Sequence, residues 1–145
     1  MRRRRKPGWR LKDERGSVAV EFGLIAPIFF LLVFGIIDFG RAFYTSHDLA
    51  AAVREAGRFA STFPDPLAAD VQPQIRARAQ YFALSFGGEA VTDAQIDIEI
   101  VGGSDVTVRI RDYPFDFIVL PMADINMTRE ATFRLESAST PAPAP

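Results

Sequence analysis

From Val18 to Ile37 the chain carries one ionisable side chain, Glu21, and the stretch Ile28 to Phe34 is apolar on every face. At about 1.5 Å rise per residue, a helix of this length crosses the ~30 Å hydrocarbon layer of a bilayer. A helix with no polar face needs either lipid or a complete shell of protein around it, and a chain of 145 residues leaves little for such a shell. The run therefore predicts a membrane helix over 17–37. Arg2, Arg3, Arg4, Arg5, Lys6, Arg10, Lys12 and Arg15 precede it, whereas Asp38 and Arg41 open its far side. The positive-inside rule then leaves the N-terminus in the cytoplasm and exports the rest. A cleaved secretory signal peptide fits less well, because no small-residue cleavage site follows and Phe39, Arg41 and Phe43 occupy that region.

Glu21 needs a separate reason, since a carboxyl group in the first turns of a membrane helix is costly and such groups commonly serve function. Its surroundings, Gly16-Ser17-Val18-Ala19-Val20-Glu21-Phe22, resemble the G-x-x-x-x-E-[FY] site that a prepilin peptidase cuts after the glycine. Pro27, then Gly35-Ile36-Ile37-Asp38-Phe39-Gly40-Arg41, then Arg54-Glu55-Ala56-Gly57-Arg58 extend the likeness. At these spacings the chain resembles the TadE-like family, minor pseudopilins of tight-adherence (Flp) pilus assembly systems, from Gly16 to about Glu136. Two departures stand out. His47-Asp48 falls where the family has an Asn, and REAGR transposes the Ala and Gly of REGAR.

The resemblance implies cleavage between Gly16 and Ser17, with Glu21 and Phe22 as recognition and assembly residues. It also implies a prepilin peptidase, other pilins or pseudopilins and a pilus assembly platform as partners. Physical reasoning runs parallel to it. Cleavage would create an amino group on Ser17, one helical turn from Glu21, and supply the buried carboxylate with a cation. In a filament that cation could come from a neighbouring subunit; the plain alternative is a Glu21 that snorkels to the headgroups.

The leader 1–16, with Pro7 and Gly8, reads as disordered, and Trp9 suits the membrane interface. Once the leader is set aside acids outnumber bases, so nucleic acid is not an expected partner. There is no cysteine, hence no disulfide, thiol nucleophile or cysteine-type metal site, and no cofactor is expected. His47 is the single histidine, which excludes a histidine triad or multi-histidine site within the chain. Asp97 and Glu99 are better explained as a strand's solvated face than as an acid-base pair. An enzyme is not expected.

Pro27 cannot donate to the carbonyl of Gly23, leaving either a kink or a tolerated membrane proline. Beyond Ile37 the seam Phe39, Ala42, Ser46, Leu49, Val53, Ala56 and Ala60 keeps helical spacing, so the helix should continue through 38–62 as a periplasmic stalk. That seam would pack on the protein's own domain or on neighbouring helices. Phe63-Pro64-Asp65-Pro66 stops the helix. A second, shorter helix follows, with Val71, Ile75, Ala79, Phe82 and Phe86 on one face, Arg76, Arg78 and Gln80 pointing away, and Gly87-Gly88 as its stop.

The period then changes to two. Ile96-Ile98-Ile100 and Val106-Val108-Ile110 predict a hairpin around Gly102-Gly103-Ser104, with Ile100 opposite Val106 and an ion pair between Asp97 and Arg109. Tyr113-Pro114-Phe115 should break the strand, Phe117 to Leu120 reads as a short edge strand, and Ile125 to Glu136 alternates with only Arg129 spoiling its apolar face. The expected fold is pilin-like α+β: a long N-terminal helix, a short second helix and an antiparallel sheet of three or more strands. A small domain over 63–136 precedes a disordered Pro/Ala tail, 137–145. The expectation is a structural pseudopilin, single-pass in the bacterial inner membrane with its C-terminal domain periplasmic; the alternative is an uncleaved, membrane-anchored binding module.

Overall fold

The computed structural model describes residues 14–83, 89–118 and 124–136, so the expected Pro/Ala tail lies outside it, as does the expected leader except for 14–16, which is helical rather than disordered. Glu14–Ser61 forms one helix, α1, of 48 residues and so about 70 Å long. It ends just before Phe63-Pro64-Asp65-Pro66, as the proline pair requires. Pro27 lies inside α1, and the helix continues through it.

Gln72–Phe82 forms α2, with proline in its first turn, where a missing N–H breaks no helical bond. Ile75 and Ala79 are buried. The helix ends at Phe82, earlier than expected, while Phe86 and the Gly87-Gly88 stop lie outside the described residues. Its polar residues do not simply point away. Arg78 Nη2 donates to Glu55 Oε1 of α1 at 2.8 Å, and its guanidinium lies over the rings of Phe59 and Phe82. Arg76 donates to the Asp93 carbonyl, and Gln80 Nε2 donates to the Val91 carbonyl at 3.0 Å and to Asp93 Oδ1 at 2.9 Å. The polar face of α2 thus ties α1 to the segment leading into the sheet.

Three antiparallel strands, β1 (Ile96–Val101), β2 (Asp105–Phe115) and β3 (Ile125–Arg134), lie in that spatial order. The hairpin register is the expected one, with Ile100 opposite Val106 and Asp97 opposite Arg109. Gly102 and Gly103 close its turn at φ of 63° and 72°, where a side chain would be strained. The expected Asp97–Arg109 ion pair does not form. Arg109 Nε instead bonds Glu130 Oε2 on β3 at 2.7 Å, and Asp97 pairs diagonally with Arg111 at 3.0 Å. A central strand offers its side chains two neighbours, and the hairpin pattern reveals only one of them. The hydrogen bond from Arg109 to Glu130 is the main reason the arginine's pKa is raised.

The expected break at Tyr113-Pro114 is instead a bulge inside β2. Ile110 faces Arg129 and Tyr113 faces Met127, so β2 holds one more residue than β3 in this interval, and Asp112 takes φ of 51°. A bulge resets the alternation of a strand. Val106, Val108 and Ile110 therefore share the buried side with Tyr113 and Phe115, although the two sets differ in parity. Tyr113 is buried and donates its hydroxyl to the Glu89 carbonyl at 2.7 Å. Phe117 and Ile118 are not in a strand, and the rest of the expected edge strand, 119–120, lies outside the described residues.

The sheet and α2 cover the outer half of α1. Leu49, Ala52, Val53, Ala56 and Ala60 meet Ile75, Val106, Val108, Ile110 and Tyr113 in one core. The seam of small residues is thus packed on the chain's own domain. Phe39 is an exception at 51 % exposed, because the buried position at that level is Asp38. Arg129, the residue that spoils the apolar face of β3, reaches across to donate to Ser46 Oγ, so a polar pair spans the two layers. The result is the expected α+β arrangement of a long apolar helix, a second short helix and a three-stranded antiparallel sheet.

Candidate functional site

Gly16, Ser17, Glu21 and Phe22 all lie in the first turns of α1 and all are exposed. Ser17 Oγ donates to Glu21 Oε1 at 3.3 Å, which is the contact that helical i,i+4 spacing allows. A Cβ at Gly16 would meet nothing within 4 Å. Downstream, Val18, Phe22, Leu24, Ile28, Phe29, Leu31, Leu32 and Ile36 are all exposed around the helix. Full burial of such a side chain is worth about 1.5–3 kcal/mol, so a whole row left in water would be heavily penalised. The helix is long and apolar enough to cross a membrane, and fits a single span near the N-terminus.

The second segment singled out in the sequence, Gly35 to Arg41, holds a group whose physical role the pattern did not reveal. Asp38 is completely buried. Its Oδ1 accepts from the Ile118 N–H at 3.2 Å and from Arg41 Nη1 at 3.3 Å. Arg41 Nη1 also lies 3.5 Å from the Asp116 carbonyl, and its guanidinium sits over the Phe115 ring. An acid at the end of an apolar run, with a base three residues on, was the available signal. The partner 80 residues away was not readable from it.

The third segment, Arg54 to Arg58, positions α1 under the sheet and against α2. Ala56 faces the core, and a Cβ on Gly57 would come within 2.6 Å of the Phe133 ring. Glycine is what lets β3 lie this close. Glu55 accepts from Arg78 and lies 3.8 Å from Arg58. The hydrogen bond from Arg78, helped by the charges of Arg58 and Arg78 and opposed by desolvation, holds its carboxyl below the ordinary range.

The other candidates do not assemble into a reacting group. Asp97 is engaged by Arg111, and Glu99 is exposed on the outer strand. His47 is exposed on α1. Among the described residues no set of three or more His, Cys, Asp or Glu side chains is placed to hold a metal ion. A small recess of about 200 Å³ beside Arg41, lined by Thr45, Tyr113 and Phe115, has its one guanidinium already bonded to Asp38.

Comparison with known families places one match on this geometry. Residues 16–58 match the model of the TadE-like protein family. The matched stretch starts at Gly16, ends at Arg58 and lies wholly within α1; it is shorter than the Gly16 to Glu136 over which the sequence resemblance was drawn. No curated protein and no solved structure matches the chain.

Proposed function

We propose that this chain, whose first helix carries a TadE-like segment, is a minor pseudopilin of a tight-adherence pilus system. Similarity to that family implies association with such a pilus. The observation that carries the finer reading is the continuity of α1. One helix holds the cleavage-type sequence at its start, a bare apolar span after it, and then the seam on which the domain is built. A prepilin peptidase cuts between Gly16 and Ser17, removing the basic leader that keeps the N-terminus in the cytoplasm.

The chemistry of the cut favours assembly. In the uncut chain Glu21 Oε1 accepts from the Ser17 hydroxyl, an uncharged donor. Cleavage turns the Ser17 amide into an ammonium group a helical turn from that carboxylate. The carboxylate, until then bonded by an uncharged hydroxyl, gains a cation within i,i+4 reach, and the pair becomes ionic on both sides. The same carboxylate can take the ammonium of a neighbouring subunit instead, which sets axial register between helices. Phe22, exposed beside it, completes the recognition sequence. The domain beyond residue 38 lies on the periplasmic side and acts structurally, with other pilins or pseudopilins and the assembly platform as its partners.

Co-expression with and without a prepilin peptidase, followed by mass spectrometry of the N-terminus, tests the reading. A chain starting at Ser17 only when the peptidase is present is the expected result, and Gly16→Arg should keep the long form. An intact N-terminus under both conditions would make the chain a permanently anchored binding module instead. Glu21→Ala should insert into the membrane normally and lower pilus yield; an unchanged yield would remove Glu21 from assembly.

A further inference from the structure

The apolar run of α1 ends at Ile37, and the next residue, Asp38, binds the backbone N–H of Ile118. That bond fixes the level at which the chain after β2 passes the helix: one residue beyond the hydrocarbon span. At this level the side chains are of a kind that water does not favour. Outside the span, Phe43 at 75 % and Ile118 at 72 % are the most exposed large apolar side chains among the described residues, and Phe39 is 51 % exposed. Phe117 holds the chain to the helix from the other side, with its ring 6.3 Å from Phe39 and 5.3 Å from Phe115.

We infer that the 116–118 segment, with Phe39 and Phe43 of α1, is a second lipid contact that seats the base of the globular domain on the outer headgroup region of the bilayer. The inference rests on the span of α1 and is independent of processing. Three observations select a lipid surface as the occupant. The patch is continuous with the membrane-spanning face, since Ile36 and Ile37 are exposed immediately before it. Its exposed side chains, Phe39, Phe43 and Ile118, are aromatic and aliphatic, and such apolar faces gain by leaving water for the headgroup/acyl boundary. Two of the charges within it are spent internally, because Asp38 is fully buried and Arg41 bonds both Asp38 and the Asp116 carbonyl, which leaves the exposed Asp116 carboxylate to sit among the headgroups rather than in hydrocarbon. A domain held at two points, by the helix and by this segment, cannot swing freely about residue 38.

The chain has no cysteine, so single probes are direct. The full chain would be reconstituted in phosphatidylcholine vesicles containing lipid spin-labelled near the top of the acyl chain. An environment-sensitive fluorophore would be attached in Ile118→Cys, in Phe43→Cys, in Ile36→Cys as the membrane reference and in Arg54→Cys as the aqueous one. Arg54 is exposed and lies about 24 Å further along α1 than Asp38. The expected result is blue-shifted emission and at least about twofold more lipid quenching at 118 and 43 than at 54. Quenching at 36 with 118 and 43 matching 54 would overturn the docking while leaving the span intact. No quenching at 36 either would overturn the span and the docking together. A label at 118 reached neither by lipid nor by aqueous iodide would mean that a second copy of the chain covers the patch, and the lipid contact would be wrong.

Discussion

The two halves of α1 are one helix in two solvents. Before residue 38 nearly every side chain is exposed and apolar; after it, one face holds Leu49, Ala52, Val53, Ala56 and Ala60 fully or almost fully buried under the chain's own sheet and second helix. Apart from the one bond that Pro27 cannot donate, both halves carry the same backbone ladder, so helix formation alone cannot distinguish them. What differs is where the apolar surface goes. The first half leaves its apolar surface for a bilayer, around the whole circumference. The second concentrates it into a stripe of small residues, which allows the sheet to come close, and gives the opposite face to water.

Substitutions should therefore act differently in the two halves. Leu49→Ala removes a fully buried side chain and should cost the domain about 2–5 kcal/mol, whereas Leu31→Ala should leave domain unfolding unchanged within about 0.5 kcal/mol. Chemical denaturation followed by tryptophan-independent far-UV signal in detergent would measure both; equal losses would dissolve the distinction. Asp38→Ala, at the joint between the halves, strands the Ile118 N–H and the Arg41 guanidinium and should cost about 1.5–3 kcal/mol. It should also raise hydrogen exchange at Ile118 specifically, and unaltered exchange there would mean that Asp38 does not hold the segment.

Gly57→Val drives a branched side chain into Phe133 and should destabilise by about 1–3 kcal/mol. Combined with Phe133→Ala the loss should be smaller than the sum of the two single changes, because the clash needs both groups; strict additivity would contradict the close approach. The smallest effect concerns pH. Glu55 has its pKa lowered on folding, chiefly by the hydrogen bond from Arg78, so its contribution is fully present above its unfolded value, near 4.5, and fades as pH falls through the lower folded value. Thermal unfolding across that acid window should show a loss that Arg78→Gln reduces, while pH 6 to 8 should be flat for this pair.

Much of the fold was legible where a single neighbour decides the pattern. The length of α1, its stop before Pro64 and the hairpin register followed from apolar spacing and proline, because those depend on residues close in sequence. The misreadings fall where two distant elements meet. Asp97 and Arg109 are opposite each other as expected, yet β3 supplies Glu130 and draws the arginine away. Tyr113-Pro114 looks like a strand end, yet a bulge at Asp112 turns Tyr113 back toward the core. At the candidate site, Gly16, Ser17, Glu21 and Phe22 were singled out from the short motif, whereas the sequence showed Asp38 only as an exit-side charge and a letter of a family pattern, and Gly57 only as such a letter.

The sequence by itself determined that an apolar helix long enough to cross a bilayer continues into a stalk with a narrow seam, because periodicity and charge are local properties of the chain. Tertiary structure alone decided that this seam belongs to the chain's own sheet, that Asp38 fastens a segment 80 residues away, and that Gly57 makes room for Phe133. Those facts arise from the three-dimensional meeting of α1 with β2 and β3, where the space left by one side chain is filled by another that no spacing rule connects to it.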